Sequence, residues 1–190
     1  KSKFLGRSVV CILLAAILCG NTTSLVSADS STPSASPTSV SALPAFSIYP
    51  KGQDVGTFFQ VQQNAGTTAK YTVVLANFSQ PGSKPFRGLT YAANAHILTN
   101  GGLTSGQPNE TPTGPTTWFA FPNDVVVLDP GKGVERTFDV TIPADTKPGQ
   151  YVAALVFQTA DALDIPGTPN LKQVLRKTIE FMITVPGPVQ

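Results

Sequence analysis

The stretch that most constrains the fold runs from Pro130 to Phe157, PGKGVERTFDVTIPADTKPGQYVAALVF. Val134, Arg136, Phe138, Val140 and Ile142 alternate with Glu135, Thr137, Asp139 and Thr141. That period of two marks a strand with one face to cover. Tyr151 to Gln158 has few polar residues on either side, as expected of a strand central to a sheet. Pro143, Pro148 and Gly149 stop the ladder between these two strands of opposite direction and turn the chain. The remaining strands are expected to lie against this pair. Gly149-Gln150-Tyr151 has the form of a tyrosine corner, in which a Tyr opening a late strand of an immunoglobulin-like sandwich bonds back across the preceding crossover.

The other segments agree with an all-β chain. Strands are expected at 45–50, 57–62, 69–78, within 87–98, at 124–128 and at 171–185, with turn signals between them. No long segment has a helical apolar period, and the 17 prolines and 16 glycines supply the turns. In the last strand Ile179, Phe181, Ile183 and Val185 point one way and Thr178, Glu180, Met182 and Thr184 the other. The expected fold is an immunoglobulin-like antiparallel β-sandwich of eight to nine strands over residues 45–187.

Ahead of it, Lys1, Lys3 and Arg7 precede the apolar run Val9–Leu18, and Val26-Ser27-Ala28 offers a cleavage site. Residues 1–28 therefore read as a secretory signal peptide, so the expected location is secreted and the expected membrane contact is limited to export. Residues 29–44 are rich in Ser, Thr, Ala and Pro and read as a disordered linker. Both cysteines, Cys11 and Cys19, fall in the leader, which excludes disulfides, thiol chemistry and cysteine-ligated zinc in the remainder. Without the leader's three cations the chain carries ten basic and eleven acidic residues, about −1, with no basic patch for nucleic acid.

Few residues offer chemistry. His96 is the only histidine and lies in a strand pattern, so no Ser–His–Asp triad is expected. Asp124 and Asp129 flank one strand, and Asp161 and Asp164 share a loop; neither spacing recommends a hydrolytic pair, a calcium site or any other metal. No cofactor is expected. Asn77 and Asn109 open glycosylation-type tripeptides.

Thr99 to Thr117 is an irregular run, long enough to be functional, that ends at the sole tryptophan. Alternation puts Phe119 and Phe121 inside. Two placements stay open for Trp118: beside the loop, where an exposed ring could stack on sugar, or in the core. The candidate ligand-binding residues are Trp118, Asn100, Thr99, Asn109 and Tyr91.

The order of signals carries a resemblance. Phe46-Ser47-Ile48-Tyr49-Pro50, Thr99-Asn100-Gly101-Gly102, Trp118, Val127 to Gly131, Val140-Thr141-Ile142-Pro143, Pro148 to Tyr151 and Val185-Pro186-Gly187 follow one another. In that order they resemble the peptidoglycan-binding domain of WxL-interacting proteins, an exported cell-surface family of Gram-positive bacteria. The resemblance covers about residues 45–187. It implies a non-enzymatic, cell-wall-associated module whose partner is peptidoglycan or another wall polymer. The family's second β domain, which engages the WxL protein, has no counterpart in these residues, so that function is not carried over. The alternative is a structural or protein-interaction module pairing its edge strands with another surface protein.

Overall fold

The computed structural model describes residues 43–52, 58–165, 167–168 and 170–187. The expected leader and all but the last two residues of the expected linker lie outside these. Among the described residues eleven strands follow one another: β1 (Phe46–Pro50), β2 (Phe59–Gln62), β3 (Thr68–Asn77), β4 (Phe86–Ile97), β5 (Leu103–Ser105), β6 (Asp124–Leu128), β7 (Gly133–Thr141), β8 (Gly149–Thr159), β9 (Leu163–Asp164), β10 (Lys172–Gln173) and β11 (Arg176–Val185). A 3₁₀ turn spans Gly114–Trp118. The count exceeds nine because β9 and β10 are two-residue rungs of one small hairpin.

Two sheets enclose the core. The smaller has the order β1-β3-β7 and the larger β2-β11-β8-β4, with β6 on the first half of β4 and β5 on its end. All pairings are antiparallel except β2 with β11. The fold is an immunoglobulin-like sandwich, as its strand periodicity implied.

Alternation decides what each strand buries. Phe138, Val140 and Ile142 enter the core from β7 and its exit, and Ile179, Phe181, Ile183 and Val185 from β11. Outward residues of the small sheet form polar cross-strand pairs, Thr68–Thr141 and Thr72–Thr137 at 2.9 Å and Lys70–Asp139 at 2.7 Å. One sequence expectation needs correction: β7 and β8 are not a central pair. They belong to opposite sheets, β7 pairing with β3 and β8 with β11 and β4. Pro143 and Pro148 cannot extend a hairpin ladder, and Ile142 drops fully into the core, so the chain arches between sheets instead. The tyrosine corner pins the arch: Tyr151 Oη donates to the Lys147 carbonyl at 2.8 Å.

The core is aromatic. Phe138 from one sheet and Phe181 from the other sit among Phe59, Tyr71 and Phe119, with centroid separations of 4.5–6.5 Å. A second trio, Phe46, Phe86 and Phe157, fills the other end. Gly88 makes room for it, since a β-carbon there would overlap the Phe157 ring and stand 2.6 Å from Phe86 Cε1.

Buried polar side chains join the sheets at their margins. Asn77, at the end of β3, donates to the Leu128 carbonyl at the end of β6 (2.9 Å) and accepts from the Ser79 amide (3.0 Å). Its amide nitrogen is thus enclosed, so this tripeptide is closed to glycosylation in the folded state. Gln63 bonds the Val140 and Thr67 carbonyls and accepts from Tyr71 Oη.

The close approach at Gly88 gives a direct test. Gly88→Ala should destabilise the domain by about 1–3 kcal/mol, as overpacked cores do, measured by denaturant unfolding. An unchanged midpoint would show that the Phe46–Phe86–Phe157 trio is not packed as described.

Candidate functional site

Three surfaces could hold a ligand: the two ends of the sandwich and the outer face of the large sheet. That outer face is already occupied. Tyr91, Ala93, Ala154 and Val156 form an apolar patch on it, separate from the main core. The segment after β5 crosses this patch. Arg176 on β11 donates to Gln107 Oε1 (2.8 Å) and to Gln158 Oε1 (3.0 Å), and Ser105 Oγ meets Thr178 Oγ1 at 3.2 Å. Tyr91 Oη bonds Gln158 Oε1 at 3.0 Å and the Gly106 carbonyl at 3.3 Å, and the residue is 2% exposed. Burial also raises its phenol pKa. As a candidate ligand contact Tyr91 is therefore corrected to an interior residue, because the loop covers the face on which alternation would have exposed it. What remains open there is a groove of about 300 Å³ between β5 and Arg176, Thr178 and Glu180.

The run from Thr99 to Thr117 is more ordered than its composition implied. Leu98 N donates to the Gly102 carbonyl at 2.7 Å, closing a hairpin between β4 and β5. Gly101 takes φ +81° at its tip, and Asn100 Oδ1 caps the Gly102 amide at 3.0 Å. Beyond β5 the chain is fastened to the end of β4 through Asn94. That side chain donates to Glu110 Oε1 (2.6 Å) and the Thr111 carbonyl (2.9 Å) and accepts from the Thr113 amide (2.9 Å). His96 Nε2 lies 3.0 Å from Glu110 Oε1, giving the histidine a structural contact. Hydrogen bonds from Asn94 and then His96 hold the Glu110 carboxyl below its ordinary range.

Trp118 resolves to an intermediate placement. It closes the 3₁₀ turn, half-buried, with its ring 4.9 Å from that of Tyr151 and tilted by 59°. Thr116 anchors the turn by donating to the Ala93 carbonyl at 3.2 Å. Phe119 and Phe121 then enter the core, and Ala120 N bonds the Asp139 carbonyl on β7. The indole thus lies on the tyrosine corner at one end of the sandwich. Thr99 and Asn100 are exposed at the hairpin tip, and Asn109 is exposed in a turn closed by Glu110 N on the Gln107 carbonyl. The hairpin with Thr99 and Asn100 extends from the end of β4, whereas the turn with Asn109 follows β5 back over the outer face of the large sheet, the segment beneath which Tyr91 is buried.

The opposite end holds a site that the sequence reading missed. Leu43 to Ala45, the 78–87 connection, Thr159, Asp161 and Leu163 surround a groove of about 610 Å³. Phe78 is 60% exposed at its rim, and Arg87 and Asp161 pair across it at 2.7 Å. In sequence Phe78 was masked by the strand pattern before it; the cluster Gln80 to Pro85 was the available signal of a loop. Several carboxylates elsewhere are engaged: Asp124 with Arg136 (Nη2–Oδ2 3.0 Å), Glu135 with Lys51, and Asp164 with Lys172. The Arg136 hydrogen bond, helped by Thr90, lowers the Asp124 pKa. Among the described residues no group of three or more His, Cys, Asp or Glu is placed to hold a metal.

The model of the NPCBM-associated NEW3 domain of alpha-galactosidase matches residues 87–159, from β4 through β8. No curated protein matches the sequence. Among solved structures the chain is similar to a family 123 glycoside hydrolase from Clostridium perfringens, at 15% identity and a TM-score of 0.43, covering 77% of this chain and 28% of that one. It is also similar to a CARDB domain from Pyrococcus furiosus in complex with di-metal ions, at 17% identity, TM-score 0.38, and 75% and 96% coverage. A pilin–chaperone complex from Salmonella enterica matches at 12% identity, TM-score 0.41, and 76% and 56% coverage. The chain spans less than a third of the hydrolase it matches.

Two lowered carboxyl pKa values make the fold acid-sensitive. Asp124 and Glu110 both bind a proton more weakly folded than unfolded, so their stabilising contribution is full above the unfolded values, near 4, and is lost as pH falls through the lower folded ones. The melting temperature should therefore hold above about pH 5 and decline below about pH 4. Asp124→Asn with Glu110→Gln should flatten that decline; an equally steep decline in the double variant would show that other groups govern it.

Proposed function

We propose that this domain is a non-catalytic binding module of the bacterial cell surface that holds peptidoglycan, or another wall polymer, reversibly at its Trp118 end. One observation carries the reading: a tryptophan ring partly open to solvent is fixed against Tyr151, at the end of the sandwich where β4 runs out into the hairpin that carries the exposed Thr99 and Asn100. A ring so placed can stack on the apolar face of a sugar, while Asn100, Asn109 and Thr99 offer donors and acceptors to its hydroxyls. The support is threefold: this geometry, the match over residues 87–159 to a domain described from alpha-galactosidase, and the resemblance to wall-binding domains. Export by the amino-terminal leader would bring the domain to that polymer. No second sequence-distant group is required, since binding needs only a preformed surface.

Co-sedimentation of the purified chain with insoluble peptidoglycan sacculi tests it. The chain should pellet with sacculi, and Trp118→Ala should weaken binding by about tenfold, the loss of one stacked ring at roughly 1–2 kcal/mol. Phe78→Ala, at the other end, should bind as the parent does. Loss in Phe78→Ala alone would move the site to the 610 Å³ groove. No sedimentation of the folded parent would overturn the wall-binding role.

A further inference from the structure

The sheet edges of this domain are not equally protected. Edges invite pairing with another chain, and proteins blunt them with charge, proline or a covering segment. The edge at β1 ends in Pro50, followed by the Lys51–Glu135 ion pair. Along β7 the free side is partly covered by Phe119 and Ala120, and the strand carries Glu135, Arg136 and Asp139. β2 is four residues long and half glutamine. β6 differs. Its sequence is Asp-Val-Val-Val-Leu, it pairs β4 on one side, and no strand among the described residues pairs its other side. Val125 and Val127 are 46% and 59% exposed on its outer face. Its one charge, Asp124, is turned inward onto Arg136 and Thr90.

We propose that the free side of β6 pairs antiparallel with β6 of a second copy of this chain, about a two-fold axis at Val126. The choice of occupant follows from the strand's self-complementarity. In that register Val125 of one copy faces Val127 of the other, twice, on the outer face. Val126 faces its own copy on the inner side, where it already packs against the core. Asp124 faces Leu128, so no like charges are opposed. A two-fold axis needs such an isologous patch, and β6 supplies it within five residues. The flanking Pro122 and Pro130 end the ladder at both sides, which limits it to one defined register. The large sheets of two copies would then run on as one. This inference stands apart from the wall-binding reading, although two linked copies would bind a repeating polymer with greater avidity.

Sedimentation velocity of the full chain over a concentration series tests it, with Val125→Lys/Val127→Lys as the variant. Both substitutions are at exposed positions, and unchanged circular dichroism and melting will establish that the variant is folded. The parent should dimerise reversibly. The variant, which opposes lysines across the axis, should have a dimer dissociation constant raised at least about tenfold. A parent that stays monomeric at every concentration overturns the homodimer and leaves the edge to a strand from another protein. A folded variant that dimerises as strongly as the parent overturns the role of β6.

Discussion

The cross-sheet contact between Phe138 and Phe181 is the interaction on which this structure rests. Antibody sandwiches close their two sheets with a disulfide whose second cysteine lies two residues after the corner tyrosine. Here that position is Ala153, fully buried, on the same face as Leu155 and Phe157. With no thiol to tie the sheets, the space is filled by interlocking rings from both. Such a core tolerates little change of volume, because each ring's position is set by two or three others. Gly88 illustrates the constraint: the residue is small because two phenylalanines need its place.

The rest of the fold was legible wherever one rule, alternation, governed a strand. The faces of β7 and β11 and the inward turn of Phe119 and Phe121 follow from a period of two, while the burial of β8 and the strand at β6 follow from continuous apolar runs. The tyrosine corner was legible for another reason: its donor and acceptor, Tyr151 and Lys147, are four residues apart. Where the reading failed, the partner lay far along the chain. Nothing local in Thr99 to Thr117 announces that Asn94 will hold Glu110, Thr111 and Thr113, or that Arg176 will reach Gln107. Single side-chain hydrogen bonds of that kind have no periodicity.

Tyr91 shows how a signal can be present and unread. Leu89, Tyr91 and Ala93 are apolar on the outer side of β4, and Ala154 and Val156 continue the patch on β8. A strand apolar on both faces is a strand covered on both faces. On β4, as on β8, such a pattern calls for a covering segment, and the long loop supplies it. Asn77 is the complementary case: its tripeptide reads as a modification site, yet its amide is committed to Leu128.

Covering the large sheet has a consequence for what the domain can bind. The small sheet's outer face is laced with Thr–Thr and Lys–Asp pairs that lie flat and satisfied. The large sheet's outer face is spent on its own loop. Among the described residues this leaves the two ends, the small groove beside β5 and the β6 edge for recognition. The Trp118 end is held on rigid supports, the tyrosine corner below it and Thr116 beside it, so a ligand arriving there pays little to order the site. Because β6 runs beside residues 86–90 of β4, away from the Trp118 end, pairing there leaves that end uncovered. A module built this way can join to a second copy through its side and still present an unchanged binding end to a polymer.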